Sequence, residues 1–251
     1  MKDPIRVWDL PIAPVTRTEA VAWVANLVRT RQPSYFITAS THYAMLTAQV
    51  PALKAVNERA AFLVADGKPL VWASCLLGTR LPERVAGSDL IFDLCELSAR
   101  EGFRVFFLGA SPGVADEAAR RLAERYSGLI VAGTECPPFR ELSVEEHQAL
   151  LARLRAARPD ILFLAYGQPK GELWLAENLE SLGIPVSVQI GASLDFASGR
   201  VRRAPRLLQN IGMEWAYRLS LEPRRLFGRY ARNALFVASR VSRDLARRPL
   251  R

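Results

Sequence analysis

In the stretch AFLVADG, residues 61–67, an aspartate follows an apolar run and precedes a glycine. An acid at the end of a buried strand can act as a general base. The same position also suits an Asp that caps a helix beginning near Lys68, and spacing alone leaves both open. Other polar residues fall where further β-rich runs end. Thr38, Ser40 and His42 follow 34–38, Gly109 opens GASPG, and GTECPPF follows 129–133. Gly167, Gln168, Lys170 and Glu172 lie in GQPKGE, and Asp195 lies in GASLDFASGRVRRAP. Glycine permits tight turns and close approach of backbone N–H groups to a ligand. Glycines recurring at these points predict one sheet edge built for a polar, phosphorylated ligand.

Several chemistries are excluded. The chain contains no G-x-x-x-x-G-K-[ST] and no G-x-G-x-x-G; G-x-S-x-G occurs once, as GASPG at 109–113. P-loop hydrolysis and a dinucleotide fingerprint are therefore unsupported. No D-x-D is present to hold a divalent ion on a sugar nucleotide, and two histidines, His42 and His147, offer little to zinc. No metal and no cofactor is expected. Cys75, Cys95 and Cys136 are widely spaced and odd in number, which predicts reduced thiols in a cytosolic protein.

The elements that must position these residues alternate. Apolar runs at 34–39, 61–66, 103–109, 129–133, 160–167 and 185–191 predict strands. Helical spacing is expected after the first strand to about residue 60, and at 68–78, 88–102, 111–128, 143–159 and 171–183. Ser88-Asp89 resembles an N-terminal cap, Pro112 suits a first turn, and Ser143 with Glu146 forms a capping box. The expected fold is α/β: a Rossmann-like, mostly parallel sheet with helices on both faces. Residues 1–205 would form this core, with a cationic helical appendage at 206–251.

That appendage accounts for the charge. The chain carries a net charge of +9, while residues 200–251 hold 14 Arg against Glu214, Glu222 and Asp244. Leu207, Leu208, Ile211, Trp215 and Leu219 recur at helical spacing, and Pro223 restarts a helix. Phe227, Tyr230, Ala231, Ala234, Leu235, Ala238, Val241 and Leu245 form a second stripe with most arginines off it. A cationic amphipathic helix suits an anionic membrane interface. The same stripe could instead pack on the core or on another subunit. No run is long enough to span a bilayer, the N-terminus has no signal-peptide core, and no nucleic-acid motif is present.

Four blocks resemble the WecG/TagA/CpsF glycosyltransferase family: VADGKPLVWASCLLGTRLPERVAGSDL, FFLGASPGVADEAARRL, PDILFLAYGQPKGELW, and GASLDFASGRVRRAP followed by GMEWAYRLSLEPRR. The resemblance runs from about residue 15 to 232. It implies transfer of a sugar, with inversion and without a metal, from a nucleotide donor (UDP-linked) to a polyprenyl-diphosphate-linked sugar. The setting would be cell-surface polysaccharide assembly, and the location cytoplasmic, bound peripherally to the inner face of the membrane. Asp66 matches the catalytic base. Thr38, Ser40, Gly109, Gly167, Gln168, Lys170, Glu172 and Asp195 fall at the donor, and Arg84, Arg203, Arg218 and Arg224 match diphosphate-binding arginines. Each arginine has the alternative of a solvated surface charge. Partners implied are the donor, the lipid acceptor and the membrane; self-association is left open.

Two positions depart from the family pattern. Ser40 stands where T-x-N would place an Asn, and Gly171 where P-K-Q-E would place a Gln. The lost amides imply either a different donor or acceptor or a weakened activity. They also motivate a competing reading, a catalytically silent scaffold that binds lipid-linked intermediates or partner transferases. An unrelated nucleotide-dependent enzyme is disfavoured by the missing glycine fingerprint.

Overall fold

The computed structural model describes residues 2–210 and 212–246. Ile211, placed in a helical stripe by its spacing, and the arginines at 247, 248 and 251 lie outside the described residues. The chain opens with an antiparallel hairpin, β1 (Ile5–Val7) and β2 (Leu10–Ile12), followed by α1 (Arg17–Thr30). Then come β3 (Ser34–Ala39), α2 (Thr41–Gln49), α3 (Ala52–Arg59), β4 (Leu63–Ala65), α4 (Lys68–Leu76) and α5 (Gly87–Glu101). Next are β5 (Arg104–Gly109), α6 (Val114–Arg125), β6 (Ile130–Glu135), α7 (Val144–Ala157), β7 (Ile161–Ala165), α8 (Lys170–Leu182) and β8 (Val186–Gln189). Four helices end the chain: α9 (Ser193–Ala197), α10 (Arg206–Asn210), α11 (Glu214–Leu221) and α12 (Pro223–Ala246).

The strands form one sheet in the order β1-β2-β4-β3-β8-β7-β5-β6, parallel throughout except for the β1–β2 pair. Side chains alternate across the pleat. Phe36, Val105, Phe107, Phe163 and Val188 pack on one face beneath α1, α5, α6 and α9. Tyr35, Ile37, Phe106, Leu162 and Leu164 pack on the other beneath α3, α4, α7 and α8. Each such side chain contributes roughly 1.5–3 kcal/mol when fully buried. The expected α/β sheet with helices on both faces is thus what the chain forms.

The structure departs locally from the sequence pattern. The hairpin and α1 had no counterpart in it. The helical stretch after β3 is two helices, with Pro51 at the start of the second. Ser88 and Asp89 do not cap α5, which starts at Gly87 after Ala86 without a side-chain cap of its own. Pro112 lies outside α6, whose cap is Gly113. The box of Ser143 and Glu146 on α7 is present, and a second, Thr16 with Glu19, starts α1.

β3 leads into α2 on one face, while its neighbour β8 leads into α9 on the other. A crevice opens where adjacent strands send their connections to opposite sides, and ligands of open α/β sheets bind there. Asp66, Ser40, Gln168 and Asp195 all lie on loops or helix starts at this edge.

Candidate active site

Asp66 follows β4 directly and does not cap α4, whose cap position is Gly67 with no side-chain bond. Its Oδ2 instead accepts the Gly87 N–H at 3.1 Å, across from the start of α5. Burial pushes the carboxyl up to about 6; Arg84 and the Gly87 bond oppose that rise, and Glu214 and Asp89 add to it. A carboxylate near this value is charged at neutral pH yet basic enough to take a proton.

Beside it lies a partly buried polar chain. Ser40 caps α2 by accepting the Tyr43 N–H, and its hydroxyl donates to Gln168 Oε1 at 2.9 Å. Gln168 Nε2 in turn donates to Glu172 Oε1 at 2.9 Å. Glu172 is 1% exposed, with its carboxyl pushed up to about 7 by burial, and its Oε2 has no partner. Glu172 therefore sits under Gln168 rather than in the open crevice. Gly171 has a steric reason. A Cβ there would lie 2.5 Å from Gln189 Cδ, so the Gln189 side chain occupies that space. Gln189 accepts the Tyr166 N–H at 3.3 Å, and its Nε2 is buried without a partner. An amide thus stands next to position 171, supplied from β8.

The other expected donor residues have varied placements. Thr38 is buried and donates from Oγ1 to the Gln189 carbonyl, joining β3 to β8. Gly109 (φ +99°) lies so close to Ala165 and Tyr166 that a Cβ would sit 2.9 Å from both. Gly167 turns the chain at φ +77°, and Lys170 holds its ammonium 5.8 Å from the Tyr166 ring centroid. Asp195 is on α9, pushed upward by burial and drawn back by Arg200, Arg225 and Arg218, with Glu222 adding to the rise.

Three of the four predicted arginines gather at the Asp66 side. Arg84 donates to Glu214 at 3.1 Å and Asp89 at 3.4 Å. Arg203 binds the same Asp89 at 2.6 Å and the Ser88 carbonyl at 3.3 Å. Arg203 and Arg218 both lie over Phe196, their guanidinium carbons 5.9 and 5.4 Å from its centroid. Arg203 Nε, Arg203 Nη2 and Arg218 Nε are buried N–H groups without partners. Unpaired buried donors are costly, so such a cluster is suited to an anion. Arg224 makes none of these contacts and is exposed on α12. Spacing gave Asp89 only a capping role and did not single out Glu214, Phe196 and Gln189. Only proximity in the fold gives them a role, although all but Gln189 lie inside the quoted blocks.

The appendage docks on the body. Asn233 is buried and within 3.2 Å of His42 Nδ1, Trp8 Nε1 donates to Asp244 at 3.1 Å, and Arg240 pairs with Asp9 at 2.8 Å. Leu226 is buried, and Phe236, Val237 and Val241 pack on the core. The stripe named from spacing is therefore split. Val241 and Tyr230 are half-buried, while Phe227, Leu235 and Leu245 face outward. Gly212, at φ +78°, separates α10 from α11, so the first stripe is two helices. Trp215 and Leu221 on α11 and Trp72 on α4 are also exposed. No described helix is long and apolar enough to cross a membrane, and no described cluster of three His, Cys, Asp or Glu could hold a metal. The cysteines are unpaired.

A mostly parallel α/β sheet thus carries a carboxylate and an arginine cluster at its carboxyl edge, an arrangement suited to an anionic ligand. The family model described as "Glycosyl transferase WecG/TagA/CpsF family" matches residues 5–250, and the chain belongs to that family of glycosyltransferases. A relative in Bacillus spizizenii (strain ATCC 23059 / NRRL B-14472 / W23) is 30% identical over 212 residues, covering 83% of this chain and 80% of the relative. That protein is named N-acetylglucosaminyldiphosphoundecaprenol N-acetyl-beta-D-mannosaminyltransferase.

Proposed function

We propose that this glycosyltransferase moves a sugar, of the N-acetylhexosaminyl type, from a UDP-linked donor to a polyprenyl-diphosphate-linked sugar during cell-surface polysaccharide assembly. The observation that carries the reading is Asp66, held near pKa 6 beside arginines with spare N–H groups. In a single displacement Asp66 removes the proton of an acceptor hydroxyl. That oxygen attacks the anomeric carbon from the face opposite the nucleotide, the bond from that carbon to the phosphate oxygen breaks, and the configuration inverts. Arg84, Arg203 and Arg218 hold the acceptor diphosphate, and Gln168, fixed by Ser40 and Glu172, faces the donor. Leaving-group charge is met by N–H groups and cations rather than a metal.

The acceptor is a membrane lipid, and the appendage fits that location. Phe227, Leu235, Leu245, Trp215 and Leu221 face outward among arginines, and Trp72 extends the apolar surface onto the body. Each basic residue near an anionic leaflet contributes about 1 kcal/mol. Residues 1–205 act as the catalytic core and 206–251 as the membrane and acceptor unit, on the cytoplasmic face of the membrane. The relative named for a lipid-linked acceptor supports this reading.

The test is turnover with a panel of UDP-sugars and a lipid-linked acceptor, with and without chelator. Transfer from one donor, undiminished by chelator, is expected. Loss of activity restored by magnesium or manganese would overturn the metal-free account, and absence of nucleotide binding would overturn the donor assignment.

A further inference from the structure

Arg218 forms no direct ion pair among the described residues, and its guanidinium lies over the ring of Phe196. The same ring carries Arg203, which does have a carboxylate partner in Asp89. Two like charges brought to one aromatic ring repel each other, so something must make the arrangement favourable. The face of an aromatic ring is the negative part of its quadrupole and attracts cations within about 6 Å of the centroid. Both guanidinium groups meet that distance. A stacked guanidinium keeps its edge N–H groups available for hydrogen bonds. Those edge groups include the three buried N–H donors that have no partner here.

Phe196 is itself rigidly presented. Leu194 and Ala197 anchor α9 in the core, and the Phe196 carbonyl accepts the Gly199 N–H while Asp195 accepts from Val201. Asp195 and Phe196 are left on the less buried side of this short helix. Arg203 approaches from the segment after α9, and Arg218 from α11 of the appendage. The ring therefore joins a guanidinium of the body connection to one of the appendage.

We propose that Phe196 is a positioning residue, an aromatic platform that sets Arg203 and Arg218 for the diphosphate of the acceptor. It touches no reacting atom and acts through the two arginines. The inference rests on the assignment of those arginines to an acceptor diphosphate.

The experiment uses the full chain and inorganic pyrophosphate as the probe, with UDP affinity measured in parallel by calorimetry. Phe196→Leu keeps an apolar side chain of similar reach but removes the ring face. It should weaken pyrophosphate binding about three- to thirtyfold, the range expected for loss of a partly buried cation–π contact. UDP affinity should change less than twofold, and Phe196→Tyr or Phe196→Trp should restore pyrophosphate binding. Circular dichroism and a thermal melt report folding; were Phe196→Leu unfolded, the comparison of the Tyr and Trp variants with Phe196→His at pH 8, a smaller and weaker ring face, carries the same test. Arg218→Ala separates the two levels of the argument. If it weakens pyrophosphate binding while folded Phe196→Leu does not, the platform is wrong and the arginine assignment stands. If Arg218→Ala leaves pyrophosphate binding unchanged, both are overturned. Equal losses for pyrophosphate and UDP in Phe196→Leu would also overturn the platform, because the ring would then be supporting the whole site.

Discussion

Asp66 carries two opposed requirements. A carboxyl raised from 3.8 to about 6 takes up a proton more readily in the folded chain than in the unfolded one. Between those values the folded state binds more protons, so stability falls as pH rises through the window. At about 1.4 kcal/mol per unit, the charged form costs up to about 3 kcal/mol above pH 6. Asp66→Asn should therefore raise the melting temperature at pH 7, while reducing turnover about 10²–10⁴-fold, the usual contribution of a general base. Wild-type kcat/KM should fall on the acid side with a midpoint near 6, because the base must be unprotonated. Thermal melts and a pH–rate profile check both. An Asn variant with near wild-type turnover would leave Asp66 only its bond to Gly87.

At the scale of elements, the start of α8 and the end of β8 are fitted to each other. Ala in place of Gly on a helix normally gains about 1 kcal/mol. Gly171→Ala should instead destabilise by about 1–3 kcal/mol, because its Cβ meets Gln189 at 2.5 Å. In a Gln189→Ala background the same substitution should be neutral or stabilising, and a double-mutant cycle from denaturant melts measures the coupling. Additive effects would mean that the two side chains do not compete for one space. Ser40→Ala removes both the cap of α2 and the tether on Gln168. It should cost about 1 kcal/mol for the cap, and donor KM should rise as Gln168 is released.

At the scale of the molecule, α12 is both a cover and an exposed surface. Deleting residues from 222 onward should release the protein from anionic vesicles, and binding of the intact chain should weaken steeply with salt. Exposed charges are screened over a Debye length of about 8 Å at physiological ionic strength. The deletion also uncovers Trp8, His42 and the core beneath Phe236 and Val237. The truncated body should therefore stay α/β by circular dichroism but melt lower than the full chain. Sedimentation with vesicles at low and high salt is the measurement. If the folded truncated protein still sediments, Trp72 and α11 are the membrane contact and α12 is a structural strut.

Much of this molecule was legible from local chemistry. Apolar runs ending in glycine marked most of the parallel strands, because a strand buried on both faces must be apolar and must turn sharply to a helix. The box of Ser143 and Glu146, the break before Pro223 and the position of Asp66 are likewise short-range facts. The short hairpin was not legible: three-residue strands with Pro4 and Pro11 nearby lack a clear period, and pairing with β4 supplies what propensity does not. Nor was the partner of Asp66, since Gly87 is 21 residues away and reaches it only when α5 packs back on the sheet. Ser40 and Gly171 looked like losses when compared one position at a time. The contact of Ser40 with Gln168 and the space that Gly171 leaves for Gln189 join residues 128 and 18 positions apart, through side chains that meet only after β3, β7 and β8 pair. The sequence by itself determined which groups can donate, accept or carry charge, and the period in which each element buries its side chains. The tertiary structure alone decided which of those groups share one desolvated space, because burial, pKa and the choice of partner depend on distances set by packing rather than by spacing along the chain.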